Sequence, residues 1–116
     1  MRRLGETLES LEAVVVSRKS EPSERSYTSR LLSGGVDAIG AKVTEEAGEL
    51  VAAAAGESDD RVVSEAADLV YHTLVLLAFR GVPLARVEDE LGRRFGISGL
   101  DEKAARSTAR KPGEST

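Results

Sequence analysis

Between Leu69 and Phe79 the chain is apolar nearly all the way round a helix: Leu69, Val70, Leu74, Val75, Leu76, Leu77, Ala78 and Phe79 leave little polar surface. A helix of that kind is stable only when it is covered on several sides. A chain of 116 residues has little further material to cover it. A second copy of the same chain is the expected cover. Aromatic residues make up only 3% of the sequence and Trp is absent, so the core must be built from Leu, Val and Ala. That favours packed helices over a sandwich of sheets. The expected fold is all-α, an antiparallel bundle of about four to five helices completed by homodimerisation.

Apolar spacing places the helices. Leu4, Leu8, Leu11 and Val15 give one stripe on a first helix over residues 4–18. Residues 20–25 contain Pro22 and read as a loop. Residues 27–32 read as a short helical turn closed by Ser33-Gly34-Gly35. A third segment spans residues 36–55, with Ile39, Val43, Ala47, Leu50, Val51 and Ala54 inward and Gly56 as its stop. Gly48 inside it is either a tolerated weakness or a point of close approach. Ser58 caps the fourth helix, residues 60–80, which Gly81 ends. Pro83 suits the start of a fifth, carried by Leu84, Val87, Leu91 and Phe95. Residues 96–99 read as a loop and 100–106 as a last turn. One domain over 1–106 is expected, with 107–116 a disordered tail.

The net charge of −4 argues against nucleic acid as a partner, because phosphate contacts need a basic surface. Cys is absent, which removes disulfides and thiolate metal sites and fits a cytoplasmic protein. No apolar run reaches the length expected of a membrane span, and the N-terminus lacks a signal-peptide pattern.

Two acidic clusters carry the chemistry. Glu45-Glu46-Ala47-Gly48-Glu49 lies on the third segment and Glu65-Ala66-Ala67-Asp68 on the fourth. Glu46 and Glu49 share one helix face, as do Glu65 and Asp68. A hairpin turning near Glu57 sets level those residues whose numbers sum to about 114. Glu49 then faces Glu65, Glu46 faces Asp68, and Lys42 faces His72. Glu45 would face Leu69, so the register prefers Glu46 as a ligand. Any single Glu on a helix is ordinarily just solvated. Four converging carboxylates repel one another without a cation, whereas Mg²⁺ takes hard oxygen ligands, keeps waters and accepts substrate phosphates. With one His and no Cys, no Ser/His/Asp or Cys/His nucleophile system is available, and no Gly-Lys-Ser/Thr phosphate loop appears.

Glu-Glu-x-x-Glu followed by Glu-x-x-Asp resembles the signature of the MazG-like all-α nucleotide pyrophosphohydrolases. Ser26-Tyr27-Thr28, Leu31-Leu32, Gly35, Ile39, Lys42-Val43 and Glu45-Glu46 narrow the resemblance to the phosphoribosyl-ATP pyrophosphohydrolase family. So do Glu65 through His72 and the closing Ser98-Gly99-Leu100-Asp101-Glu102-Lys103-Ala104. The resemblance runs over residues 8–106. It implies Mg²⁺-dependent hydrolysis of phosphoribosyl-ATP to phosphoribosyl-AMP and pyrophosphate, the second step of L-histidine biosynthesis, by a homodimer. It implies Glu46, Glu49, Glu65 and Asp68 as metal ligands, with Glu45 orienting the attacking water or taking its proton. Many such activities are fused to a cyclohydrolase with cysteine zinc ligands; this Cys-free chain is expected to carry the one activity. Gly48 departs from the bulkier residues usual at that position.

Candidate substrate contacts have ordinary alternatives. Lys42 either meets a phosphate or pairs with Glu46. His72 either serves the site or is a satisfied structural residue. Tyr27 either stacks on a base or packs the loop, and Arg30 is a candidate for a phosphate. Lys103 and Arg106 either fold over a phosphate or are surface charge. Two other functions fit the same sequence: a house-cleaning pyrophosphohydrolase for noncanonical nucleoside triphosphates, and a non-catalytic helical dimer that binds partners.

Overall fold

A computed structural model describes residues 2–96. Among them are four helices and no strand: α1 (Glu6–Ser20), α2 (Tyr27–Gly56), α3 (Asp59–Arg80) and α4 (Leu84–Phe95). The first three belong to one compact unit, Met1–Val82, and α4 to a second that begins at Pro83. The expected loop at 97–99, the turn at 100–106, the motif from Ser98 to Ala104 and the tail at 107–116 lie outside the described residues.

The turn expected at 27–32 and the helix expected from 36 form one element with a single break. Gly35 alone leaves helical geometry, at φ 69 and ψ −162. A side chain rarely tolerates that backbone angle. Space is not the constraint, since a Cβ there would meet the Phe79 ring at an ordinary 3.7 Å. Ser26 starts α2 by accepting from the Ser29 N–H at 3.1 Å. The two residues Glu57 and Ser58 turn the chain, and Ser58 caps α3 as expected by accepting from the Arg61 N–H at 3.3 Å. At the far end of α3, Gly81 takes φ 77. Its N–H donates to Ala78 and that of Val82 to Leu77, which is a Schellman closure. Lys19 of α1 donates to the carbonyls of Ala78 and Phe79 at 2.8 and 3.2 Å, so a cation occupies the negative end of that helix.

The α2/α3 hairpin is the larger packing surface, and α1 lies against both helices. Val15, Leu31, Ile39, Val75 and Ala78 form the core cluster, with Leu11, Leu32, Val43, Tyr71 and Leu76 around it. The inner stripe of α2 runs Ile39, Val43, Glu46, Leu50 and Ala53. Of the residues expected on it, Ala47 is half-buried at its edge, and Val51 and Ala54 do not lie there. Val51 is 70% exposed and Ala54 is exposed, because each sits one helical position beyond the true stripe. Leu4 also fails its expectation: it is fully exposed, ahead of α1, where Gly5 takes φ 92. A Cβ at Gly48 would meet nothing within 4 Å inside the chain, so no close approach within this subunit requires that glycine.

By length and composition alone, α3 is long and apolar enough to cross a bilayer. The compositional expectation that no run reaches that length is therefore corrected. A core helix meets the same criterion, and α3 buries Glu65 and His72 along with Leu74, Val75 and Ala78. In the second unit, Glu90 of α4 is met by the two arginines that follow it, Arg93 and Arg94. That carboxylate accepts from Arg93 Nε and Nη2 at 2.9 and 2.6 Å and from Arg94 Nε at 2.8 Å. These bonds draw its pKa down to about 2.

Candidate metal centre

Glu46 and Glu65 are in phase with the apolar stripes of their helices, so folding the hairpin carries both into the interior. Glu46 is 7% and Glu65 4% exposed. Carboxylate oxygens of Glu46, Glu65 and Asp68 lie within 4.8 Å of one another, as do those of Glu45, Glu46 and Glu49. Glu46 belongs to both groups and joins them. Three of the four carboxylates expected as ligands, Glu46, Glu65 and Asp68, form one group, and Glu49 is grouped with Glu46 and Glu45.

Burial and mutual repulsion govern the charges. Glu46 is raised above the ordinary carboxylate range, first by burial and then by Asp68. Glu49 is pushed up to about 7, first by the hydrogen bond that its protonated form shares with Glu65, then by burial and by the charge of Glu46. Glu65 is lowered, first by that same hydrogen bond and then by the Arg61 guanidinium, against the opposing effect of its burial. One oxygen of Glu46 and one of Glu65, the Oε2 atoms, are buried with no hydrogen-bond donor beside them other than the cluster's own carboxyl groups. Buried carboxylate oxygens are normally paired or coordinate a metal. All the donors are hard oxygens, the set that suits a divalent cation of the Mg²⁺ type. The cluster can hold a metal ion.

Arg61 escaped the sequence reading. Its Nη2 lies 3.0 Å from Glu65 Oε1 and its Nε donates to Glu57 Oε1 at 3.3 Å. The signal was present, because Glu57, Arg61 and Glu65 are spaced by four along the chain.

The other expected residues divide. Lys42 is paired with Glu45 at 3.7 Å, not with Glu46 as its ordinary alternative had it. The His72 ring is buried and both nitrogens are engaged. The Asp68 carbonyl only accepts, so Nδ1 is the donating nitrogen, at 2.8 Å. Nε2 then accepts from the Tyr27 hydroxyl at 3.0 Å. This favours the structural of the two readings of His72. Tyr27 stacks near Tyr71, with ring centroids 6.2 Å apart, and Arg30 lies 5.9 Å over its outer ring. Thr28 and Tyr71 exchange a second hydroxyl bond beside it. The Tyr27 hydroxyl is raised above its ordinary value, chiefly by burial, and it also feels the charges of Lys42, Glu46 and Glu45. Lys103 and Arg106 lie outside the described residues.

The profile of the phosphoribosyl-ATP pyrophosphohydrolase family matches residues 8–95. A phosphoribosyl-ATP pyrophosphatase of Pelobacter propionicus is 52% identical over 101 residues, covering 87% of this chain and 94% of the relative. The enzyme of the same name from Trichlorobacter lovleyi is 52% identical over 85% of this chain and 92% of its own length. That of Erythrobacter litoralis is 50% identical over 86% and 96%. Each covers the acidic hairpin and nearly all of the relative. This chain belongs to the phosphoribosyl-ATP pyrophosphohydrolase family.

Proposed function

We propose that this chain hydrolyses phosphoribosyl-ATP to phosphoribosyl-AMP and pyrophosphate in the second step of L-histidine biosynthesis, with Mg²⁺ held by Glu46, Glu49, Glu65 and Asp68. The observation that carries the metal reading is the pair of buried oxygens on Glu46 and Glu65 that only other carboxyl groups approach. The names of the relatives support the substrate. Bound among these carboxylates, Mg²⁺ supplies neutralising charge for a polyphosphate and activates a water. Glu45 is exposed at the edge of the cluster, where it orients that water or takes its proton. The water oxygen bonds to one phosphorus of the cleaved anhydride as its P–O bond breaks, the departing oxygen takes up a proton, and phosphoribosyl-AMP and pyrophosphate result. Lys42 and Arg30 offer cations to the phosphates, as Lys103 and Arg106 do in this reading, and Tyr27 offers a ring face. His72 holds the Tyr27 hydroxyl in place.

A second copy completes the protein in this proposal. Val51 and Val63, 70% and 67% exposed, are level on the outer side of the hairpin, with Val70 about two turns further along α3. Apolar residues aligned in this way on neighbouring helices suit a partner subunit. A cytoplasmic location completes the reading.

Incubating the purified protein with phosphoribosyl-ATP and a panel of nucleoside triphosphates, with Mg²⁺ and with EDTA, tests it. Phosphoribosyl-ATP should be preferred and EDTA should abolish turnover. Preference for dUTP or an oxidised triphosphate would overturn the substrate, and full activity in EDTA would overturn the metal. Complementation of a strain lacking this step of the histidine pathway tests the role in the cell.

A further inference from the structure

We infer that Arg61 is a positioning residue for the metal centre: it occupies one oxygen of Glu65 so that the other is presented to the carboxylate cluster. The inference rests on the metal reading above. Arg61 Nη2 sits 3.0 Å from Glu65 Oε1, while Glu65 Oε2 is buried with no partner outside the acidic cluster. The two oxygens of one carboxylate thus have separate duties, and Arg61 sets which is which. Its Nε is anchored 3.3 Å from Oε1 of Glu57, at the hairpin turn. The planar guanidinium spans both contacts as one rigid piece, a geometry that a lysine ammonium does not reproduce. Arg61 therefore ties the buried Glu65 carboxylate to the turn of the hairpin. Ligating carboxylates held by such outer hydrogen bonds lose metal affinity when the partner is removed.

Arg61 is also a positive charge beside a cation site, and charge alone works in the opposite sense. Were it only a bystander, its removal would lower the repulsion felt by a divalent ion and tighten binding. Positioning predicts weaker binding. The sign of the change separates the two.

The test is Mn²⁺ binding to the full chain, followed by electron paramagnetic resonance of the free ion, for wild type, Arg61→Gln, Arg61→Lys and Glu57→Gln. The Arg61 side chain is half exposed, so its replacement opens no core. Circular dichroism in EDTA should superimpose for all four. Arg61→Gln should weaken Mn²⁺ binding about 10- to 100-fold, with Arg61→Lys between it and wild type. Glu57→Gln should show a smaller loss of the same sign. In turnover assays with phosphoribosyl-ATP, saturating Mn²⁺ should restore most of the kcat of Arg61→Gln. Mn²⁺ binding in Arg61→Gln as tight as in wild type, or tighter, overturns the positioning role and leaves the metal reading standing. Absence of Mn²⁺ binding by the wild type overturns both.

Discussion

Replacing Glu46 by Gln should move stability and metal binding in opposite directions. Glu46 is buried in the inner stripe of α2, and its carboxylate lies within 4.8 Å of that of Asp68. Two unit charges at 4.8 Å and an effective dielectric near 20 repel by about 3.5 kcal/mol. Asp68 is exposed and the cluster retains protons on its raised groups, so only part of that repulsion is present. A gain of about 1–2 kcal/mol for the metal-free Gln variant is the reasonable share. For a unit of this size that corresponds to a Tm rise of roughly 5–15 °C in EDTA. The gain should be larger at pH 8, where more of the cluster is ionised, than at pH 5. With Mg²⁺ the order reverses. Wild type is stabilised by about 2.7 kcal/mol at a cation concentration 100 times Kd, whereas the variant, short of a central ligand, gains little. Hydrolysis of phosphoribosyl-ATP should fall by more than about 100-fold, since loss of even an outer-shell partner reaches that size. Thermal melts by circular dichroism in EDTA and in Mg²⁺ give all four values. A Gln variant that melts below wild type in EDTA would refute the reasoning, because Glu46 would then be stabilising the fold through contacts of its own.

Three further perturbations test separate parts of the structure. Glu49 is held at about 7 and Glu46 is also raised, so the folded state binds these protons more tightly than the unfolded chain does. The Glu49 contribution to metal-free stability is full below pH 4.5 and is lost as pH rises through about 7, and that of Glu46 changes in the same direction; Glu90, lowered to about 2, acts only in the acid range below 4.5. Mg²⁺ binding at pH 7 should release protons; titration calorimetry in buffers of different ionisation enthalpy measures the number, and none released would count against the cluster as the binding site. Gly35→Ala forces a side chain onto φ 69 and should cost about 1–3 kcal/mol in urea unfolding, with an unchanged midpoint as the contrary result. Tyr27→Phe keeps the ring against Tyr71 and deletes the hydroxyl bond to His72, so stability should drop by about 0.5–1.5 kcal/mol. If the stability loss is negligible while KM rises sharply, the hydroxyl contacts substrate and does not pin the helices.

The helices and their ends were legible because they depend on local chemistry. Ser58 and Gly81 act at the two ends of α3 as their types suggest. Gly35 broke the second helix for the expected local reason, yet the chain resumed helical geometry at once, so two expected pieces became one element. The carboxylate register was legible because a tight hairpin makes sequence distance from the turn equal to height. Long-range contacts were not. Nothing local in Lys19 indicates that it closes the end of a helix 59 residues away. The Tyr27–His72 bond likewise joins residues 45 apart and exists only once the hairpin is packed.

The misplaced inner face of α2 has a more instructive cause. An apolar pattern read from Ile39, Val43, Ala47, Leu50, Val51 and Ala54 averages over two neighbouring phases, because Ala is tolerated on either side of a helix. The structure selects the phase of Ile39, Val43, Leu50 and Ala53, and that phase has one gap, filled by Glu46. A hydrophobic pattern cannot count a glutamate as inward-facing, so it drifts towards the alanines and draws in Val51. The same holds on α3, where Glu65 and His72 lie in step with Leu69 and Leu76. The polar residues that break the pattern are thus the ones that fix its true phase. A carboxylate held in step with a core stripe must be offset by a partner or a cation. Once Glu46 is admitted to the stripe, Val51 rotates outward, level with Val63, onto the face assigned to the second subunit. One correction of phase therefore accounts for both the buried acid and the exposed valines.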